Sequence, residues 1–180
     1  MNETYTPAEL DSLGKSAFQK GKFSEAAGYF EAASGGYQAA GDSLSAAEMA
    51  NNTSVALLKA GDYQAALDAV EGTDNVFESA GDVRKQAMAI GNYAAALESL
   101  HRIDEAVLMY EKADGLFKEI GEHELRAPIL QSLSSLQFKS GRSFEGLANL
   151  NAGFEEGGKT SLRRRLLKVL TDLPVKYLTK

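Results

Sequence analysis

The sequence contains no cysteine and no tryptophan, and only three prolines and two histidines among its 180 residues. Without cysteine, the chain can form no disulfide, no thiolate metal site and no cysteine nucleophile. The prolines, at Pro7, Pro128 and Pro174, leave long intervals in which helices can form without interruption. Aromatic residues make up only 8% of the chain, while alanine and leucine are abundant. These features favour an all-α protein.

Charge and hydropathy exclude two further classes of partner. The net charge is −6, whereas a nucleic-acid-binding surface needs a basic face, so we expect no nucleic acid. No apolar run approaches the length that spans a bilayer, so we do not expect a membrane as the main partner. The N-terminal residues MNETYTPAELD have neither the basic nor the apolar region of a secretory signal. We therefore expect a cytoplasmic protein.

Residues that could perform chemistry are sparse. The two histidines, His101 and His123, fall in different turns, a pattern that predicts neither a metal site nor a histidine general base. The glycines form no phosphate-binding motif, since neither GxGxxG nor GxxxxGK follows a plausible strand. We therefore predict a protein that is not an enzyme and that carries no catalytic residue, no metal and no cofactor.

A motif recurs every forty residues. GKFSEAAGYF begins at Gly21, GDYQAALDAV at Gly61 and HRIDEAVLMY at His101. A second turn signal, glycine followed by an acidic residue, begins at Gly41 and recurs at the same interval. The segments between the turns have the length and the apolar spacing of helices. Each unit is thus predicted to be a helical hairpin, and such hairpins must stack in order to bury their apolar faces.

The repeat divides the chain into four hairpins within one predicted domain, residues 1–180. The hairpins span residues 7–40, 42–80, 82–120 and 122–158, and a capping helix with a tail takes up residues 159–180. The first helix is predicted to begin at Pro7, because Thr6 can cap it and Glu9 completes a capping box. The pair Gly35-Gly36 is expected to loosen the second helix of the first hairpin.

The pattern resembles the tetratricopeptide repeat. Small residues stand seven positions before the first turn of each hairpin, where that family brings two helices close together. These are Gly14, Ser54, Ala94 and Ser134. Alanine and an aromatic residue follow the turn at the family's spacing, as Ala26 with Phe30 and Ala106 with Tyr110. The resemblance implies an all-α, right-handed superhelical solenoid of four helical hairpins plus a C-terminal capping helix.

The hairpins are longer than the usual tetratricopeptide unit. Forty residues replace about 34, and Gly-Asp or Gly-Glu replaces the closing proline. The second helix of each hairpin is therefore expected to run longer and to add an aromatic step at Tyr37, Phe77 and Phe117. This variant resembles the long-repeat arrays of kinesin light chains, polarity adaptors and signalling-peptide sensors.

By this resemblance, the first helices of the hairpins line a concave groove that binds peptides. Its side chains come from the positions ten, six and three before the first turn of each hairpin. The groove residues so implied are Asp11, Lys15, Phe18, Asn51, Val55, Leu58, Gly91, Ala95, Glu98, Gln131, Ser135 and Phe138. Asn52 and Asn92 directly follow the groove positions Asn51 and Gly91. Their side chains are expected to form hydrogen bonds between neighbouring helices.

Two functions from different classes fit these residues. Phe18, Leu58 and Phe138 give the groove an apolar character that suits a peptide or an amphipathic partner helix, so a non-enzymatic adaptor is the first hypothesis. The same side chains could instead pack on neighbouring helices inside the array. The second hypothesis is a structural protein that forms a homo-oligomer through the groove or through the end of the fourth hairpin.

The C-terminal residues carry a net positive charge, whereas the rest of the chain is negative. Residues 159–180 hold seven basic residues against Asp172, a net charge of +6, which leaves −12 for residues 1–158. One helical face of this segment is formed by Leu162, Leu166, Val169, Leu170 and Leu173. Three interpretations stay open: a capping helix, an amphipathic arm for an acidic partner or anionic lipid, and a strand that folds back on the acidic body.

Overall fold

The structure is a computed structural model that describes residues 5–156. Within these residues the chain forms nine helices and no strand, in agreement with the predicted all-α class. The helices are α1 (Pro7–Gln19), α2 (Phe23–Ala39), α3 (Ser43–Ala60), α4 (Tyr63–Val70), α5 (Thr73–Ser79), α6 (Val83–Ser99), α7 (Ile103–Glu119), α8 (His123–Lys139) and α9 (Ser143–Glu156). The predicted capping helix and tail, residues 159–180, lie outside the described residues.

A capping box starts α1 at the predicted place. The Thr6 amide donates to Glu9 Oε2 at 2.7 Å, and the Glu9 amide donates to Thr6 Oγ1 at 3.3 Å. These bonds satisfy two of the amides that no helical carbonyl can reach. The hydrogen bond from the Thr6 amide also lowers the pKa of the Glu9 carboxyl below its ordinary value. Pro7, which has no amide hydrogen to satisfy, occupies the first turn.

Three of the turns between helices use a glycine followed by an aspartate, at residues 41–42, 61–62 and 81–82. Gly61 ends α3 in the left-handed conformation, with φ +88°, which a residue without Cβ adopts without strain. Asp62 then caps α4 by accepting a hydrogen bond from the Ala65 amide at 3.4 Å. Asp42 and Asp82 cap α3 and α6 in the same way. The recurring Gly-Asp pairs therefore mark helix boundaries, as the sequence predicts.

His101 occupies the equivalent turn position after α6, with a positive φ of +60°. An L-residue with a Cβ is strained in this conformation by roughly 1–2 kcal/mol. We expect His101→Gly to raise the free energy of unfolding by about 0.5–1 kcal/mol, because the larger unfolded-state entropy of glycine offsets part of the relief. Urea denaturation followed by circular dichroism measures the change. His101→Ala keeps the Cβ and is the control, so an equal gain from alanine would rule out backbone strain as the cause.

The second helix of the second hairpin differs from its counterparts. The second helices of the first and third hairpins, α2 and α7, each run unbroken for 17 residues. In the second hairpin the same span is divided into α4 and α5, since Glu71 is extended and Gly72 is left-handed, with φ +75°. The Thr73 hydroxyl donates to the Val70 carbonyl at 2.8 Å and satisfies an acceptor that the break exposes. The prediction of one long second helix is therefore wrong for this hairpin.

The expected loosening at Gly35-Gly36 is also wrong. Helix α2 passes through both glycines without a break. A Cβ on Gly36 would lie 2.6 Å from Cγ of Pro7, so this glycine permits close contact between α2 and the start of α1.

Small residues bring the two helices of a hairpin together, as the resemblance implies. Ser54 and Ala94 have 0% exposure. A Cβ on Gly14 would lie only 2.6 Å from Cε1 of Phe30, which belongs to the facing helix α2. Close approach at these positions therefore depends on the absence of a larger side chain.

The aromatic residues that recur near the ends of the second helices, Tyr37, Phe77 and Phe117, contribute to the core. Phe77 and Phe117 are 1% and 2% exposed, whereas Tyr37 is half-buried. The Phe77 ring belongs to an apolar cluster that includes Ala47 of α3 and Ala89 of α6. This residue therefore connects the second helix of its hairpin with the first helices of two successive hairpins.

The described residues divide after Ile120 into two compact units. The first unit contains α1 to α7, and the second contains α8 and α9. A single domain over residues 1–180 stays a prediction.

Helices α8 and α9 form a hairpin with polar contacts near both of its ends. The Ser134 hydroxyl donates to the Gly146 carbonyl at 2.7 Å. The Glu156 carboxylate pairs with His123 and Arg126, which lie in the first turn of α8. Burial favours the protonated form of Glu156, but the hydrogen bond to His123 and the charge of Arg126 outweigh it and lower the pKa of Glu156. This carboxylate therefore stays ionised and joins the end of α9 to the start of α8.

Candidate functional site

A cleft of about 220 Å³ opens between α1 and α3, the first helices of the first two hairpins. Its lining residues are Lys15, Phe18, Gln19, Phe30, Asn52 and Val55. Lys15, Phe18 and Val55 are predicted groove residues, and the structure brings these three together. Three of the lining side chains are apolar and three are polar.

Contacts with neighbouring residues position the side chains of α1. Lys15 Nζ pairs with Asp11 Oδ2 at 2.6 Å, one turn earlier on the same helix. The Phe18 ring meets the Phe23 ring edge to face, with the ring centroids 5.2 Å apart. Asp11 Oδ1 is buried and has no hydrogen-bond partner within the part of the chain that the structure describes.

Polar contacts join the next two first helices, α3 and α6. Asn92 Nδ2 donates to Asn51 Oδ1 at 3.1 Å, which confirms the expected bond of Asn92 to a neighbouring helix. Lys85 of α6 pairs with Glu48 of α3, and this hydrogen bond raises the pKa of the Lys85 ammonium. Asn51, a predicted groove residue, is thus engaged in holding the two helices together.

The other predicted groove residues of the second and third hairpins present less surface. Leu58 and Ala95 are half-buried, and Gly91 is buried within α6. The Glu98 carboxylate accepts a hydrogen bond from the Tyr110 hydroxyl at 2.9 Å, so α7 holds this side chain. None of these residues lines the cleft between α1 and α3.

The predicted groove residues of the fourth hairpin lie on α8, in the second unit. Gln131 and Ser135 are exposed on α8, and Phe138 is half-buried. A Cβ on Gly146 would lie 3.2 Å from the Phe138 ring, so this ring packs on α9 of its own hairpin. The Phe18 ring has a similar contact with the start of α2. Both phenylalanines therefore contribute to hairpin packing and keep part of their surface accessible.

Three lining residues of the cleft were not predicted as groove residues. Asn52 was expected to bond between helices, and Gln19 and Phe30 carried no expectation as ligand contacts. Helical spacing contained part of the signal, because Asn52 lies three residues before Val55 and Gln19 lies four residues after Lys15. Phe30 belongs to the second helix of its hairpin, and only the packing of α2 brings it to the cleft.

A second cleft, of about 190 Å³, lies at the break between α4 and α5. Its lining residues are Val70, Glu71, Gly72, Asp74, Ala89, Ile90, Tyr93 and Met109. Asp74 at this cleft pairs with Lys112 of α7 at 3.4 Å. The cleft shares no lining residue with the one between α1 and α3 and contains none of the predicted groove residues.

The described residues hold neither a metal-binding cluster nor a helix suited to a membrane. Residues 5–156 contain no group of three or more histidines and carboxylates placed to hold a metal ion. Over the same residues, none of the helices combines the length and the apolar character that crossing a bilayer requires.

Comparison with known proteins places the chain in a class and then in a family. The chain is an all-α, tetratricopeptide-like helical-repeat protein, since solved proteins of that architecture superpose on most of it. The family model described as "Soluble NSF attachment protein, SNAP" matches residues 16–171. The chain therefore belongs to the soluble NSF attachment protein family. Comparison with curated proteins finds no matching sequence.

Three solved structures are similar to the fold. The apo form of RapI superposes with a TM-score of 0.80 at 13% identity, covering 89% of this chain and 59% of RapI. Aspartyl phosphate phosphatase F from Bacillus subtilis gives a TM-score of 0.76 at 12% identity, over 86% of this chain and 41% of that protein. BtubC from P. vanneervenii gives a TM-score of 0.75 at 15% identity, over 86% of this chain and 65% of BtubC. The chain thus spans less than two thirds of each solved chain, and at these identities the likeness shows the fold alone.

Proposed function

We propose that this protein is a non-enzymatic adaptor that holds a peptide or an amphipathic helix of a partner protein against its first helices. The cleft between α1 and α3 carries this proposal, because it joins residues from two successive hairpins on the face that the repeat pattern indicates. The forty-residue spacing further supports a place in the long-repeat branch of tetratricopeptide arrays.

The composition of the cleft favours a ligand with a large apolar side chain. Phe18 and Val55 supply apolar surface for such a side chain, and its burial there is favourable by about 25 cal/mol per Å². Phe30 also lines the cleft, but its ring is only 3% exposed. Gln19 and Asn52 supply amide groups that can bond to a peptide backbone. A partner helix or peptide would thus be anchored by one side chain and oriented by polar groups around it.

The remaining observations are consistent with binding rather than catalysis. Among the lining side chains, Lys15 alone is titratable, and its ammonium is paired with Asp11. The family is named for attachment proteins, which supports a role in holding another protein. One similar structure is named a phosphatase, but at 12% identity that name concerns the other protein.

We expect Val55→Glu to weaken peptide binding at least about tenfold, because a carboxylate in the apolar part of the cleft must lose its hydration when a ligand binds. The probe is a synthetic peptide chosen by phage display against the wild-type protein, and its Kd is measured by isothermal titration calorimetry. We also expect the selected peptides to share a large apolar residue.

The control variant is Leu108→Glu, which places the same charge at a 59% exposed leucine on α7, away from the cleft. Its Kd should equal that of the wild type. Because Val55 is half-buried, thermal melting must show that Val55→Glu is folded. Lys15→Ala, at a side chain that is 60% exposed, is a second variant that leaves the core intact and should also weaken binding. Equal affinity of all four proteins would place the peptide site elsewhere.

A further inference from the structure

The cleft at the break between α4 and α5 plays no part in the proposed adaptor function. Glu71 is extended and Gly72 is left-handed at this break, whereas the equivalent residues of the first and third hairpins lie inside the unbroken helices α2 and α7. The cleft shares no lining residue with the one between α1 and α3. The second hairpin therefore has a concavity of its own, at a place where the corresponding helices of its neighbours are continuous.

The apolar part of this cleft is suited to a single side chain. Tyr93 of α6 and Met109 of α7 are half-buried and offer apolar surface to it. Val70 and Ile90 also line the cleft but are only 2% and 3% exposed. Its volume of about 190 Å³ is below the roughly 300–1,000 Å³ of pockets that hold whole small molecules. The cleft therefore has room for one long side chain rather than for a larger ligand.

Two carboxylates lie at the same cleft. Glu71 is exposed, and no ion pair or hydrogen bond holds its side chain within residues 5–156. Asp74 pairs with Lys112 of α7 at 3.4 Å, but the two side chains are 24% and 49% exposed, and a solvated pair of this kind is weak. Among the described residues that line the cleft, none is a lysine or an arginine. The lining thus carries negative charge that a cation of a ligand can match.

An arginine side chain fits this combination of groups. Its guanidinium has five N–H donors, which is enough for both carboxylates, and its planar face can stack on an aromatic ring such as that of Tyr93. Its methylenes can pack on apolar side chains while the charge stays near water. Val70 ends α4 at the cleft, so the negative end of a helix dipole adds to the attraction. Lysine has the charge but neither the forked donors nor the planar face.

We propose that the cleft at the break between α4 and α5 binds an arginine side chain presented by a peptide segment of a partner protein. The guanidinium bonds to Glu71 and competes with Lys112 for Asp74. Charge complementarity supports this occupant, because residues 63–79 contain four acidic residues and no lysine or arginine. The site is independent of the cleft between α1 and α3, so either one can fail its test while the other stands.

NMR of the protein labelled with carbon-13 at its methionine methyl groups tests the proposal, because the sequence has only four methionines. Met109 lines the cleft, whereas Met88 is 39% exposed on α6 and is not a lining residue. The probe is a short peptide with one arginine between alanines, blocked at both ends. Its titration is expected to shift the Met109 methyl signal in a saturable way and to leave the Met88 signal unchanged. No saturable shift of Met109 would overturn the site.

Two further peptides test the chemistry of recognition. Citrulline in place of arginine keeps nearly the same shape without the charge, and we expect its Kd to be at least about tenfold higher. Lysine in place of arginine keeps the charge and should also bind more weakly. A citrulline peptide that bound as tightly as the arginine peptide would overturn recognition by the carboxylates. A lysine peptide that did so would overturn the assignment to arginine.

Variants of the protein identify the carboxylates. Glu71→Gln is expected to raise the Kd of the arginine peptide at least about fivefold, because it removes the acceptor that no other group engages. Lys112→Gln should lower the Kd, since it frees Asp74 from a competing ammonium. The methyl signal of Met49, which is 5% exposed, reports whether each variant keeps its core.

Glu78→Gln is the matched control for Glu71→Gln. It makes the same change of charge at an exposed residue of α5 that does not line the cleft, and it should leave the Kd nearly unchanged. Equal weakening by the two variants would show that net charge alone attracts the peptide, and it would overturn the proposed site.

Discussion

Replacing Phe77 by alanine is expected to lower the free energy of unfolding by about 3–5 kcal/mol. The Phe77 side chain is 1% exposed and packs in a cluster with Ala47 of α3 and Ala89 of α6. Its removal would therefore leave a cavity at the point where the second hairpin meets the third, and the small alanines around it cannot fill that space. Urea denaturation followed by the helical circular dichroism signal measures the loss.

Tyr37→Ala is the matched control, because Tyr37 holds the same position in the first hairpin but is only half-buried. It should cost clearly less than Phe77→Ala, since less apolar surface is returned to water. If the two variants lost the same stability, Phe77 would not have the central packing role that the structure gives it.

The second large effect is expected at Gly14. A Cβ at this position would lie 2.6 and 2.7 Å from two carbons of the Phe30 ring, and that ring is only 3% exposed. Gly14→Val should therefore lower the free energy of unfolding by about 2–3 kcal/mol, because the ring has little room to move. The intrinsic helix propensity acts in the opposite direction, but valine gains only about 0.4 kcal/mol over glycine. The cost of overpacking therefore exceeds the gain in helix propensity, and the net change is destabilising. Urea denaturation measures this change in the free energy of unfolding.

Gly35→Val provides the control for Gly14→Val. Gly35 is an exposed helical glycine, and apart from the local helix backbone no atom of the described residues lies within 4 Å of the Cβ that a substitution would add there. This variant should leave the stability nearly unchanged or raise it slightly. In addition, Gly14→Val combined with Phe30→Ala should cost less than the sum of the two single changes, since the smaller side chain makes room for valine. Strict additivity would contradict direct contact between these residues.

The fold was predictable because its signals are local and recur. The pair Gly61-Asp62 predicts the end of one helix and the start of the next. In the structure Gly61 ends α3 and Asp62 caps α4. The small residues at Gly14 and Ser54 indicate the close approach of helices by their size alone. Repetition made these signals strong, because each pattern could be checked against copies forty residues away.

The glycines inside helices show where local signals fail. Gly35-Gly36 lies within the unbroken α2, whereas Gly72 lies at the break between α4 and α5. Intrinsic propensity disfavours helix at both sites by about 1 kcal/mol per glycine and so does not distinguish them. The difference comes from packing and side-chain bonding, since Gly36 contacts Pro7 and Thr73 bonds to the Val70 carbonyl at the break.

The candidate site was predictable only in part, because it too depends on packing that local sequence signals do not contain. The repeat register identifies which face of each first helix is available, and this was sufficient for Lys15, Phe18 and Val55. It does not show how deeply each position is buried, so the prediction included Gly91, which is buried in the structure. Nor could it bring in Phe30, whose position at the cleft depends on the packing of α2 against α1 and α3.

Photo-crosslinking tests the proposed adaptor function most directly. The photoreactive residue p-benzoylphenylalanine is placed at position 55, on the cleft, or at position 108, on the exposed face of α7, and each protein is irradiated with the display-selected peptide. The account predicts a covalent peptide adduct from position 55 and none from position 108. An adduct from position 108, with none from position 55, would contradict a binding site on the first helices.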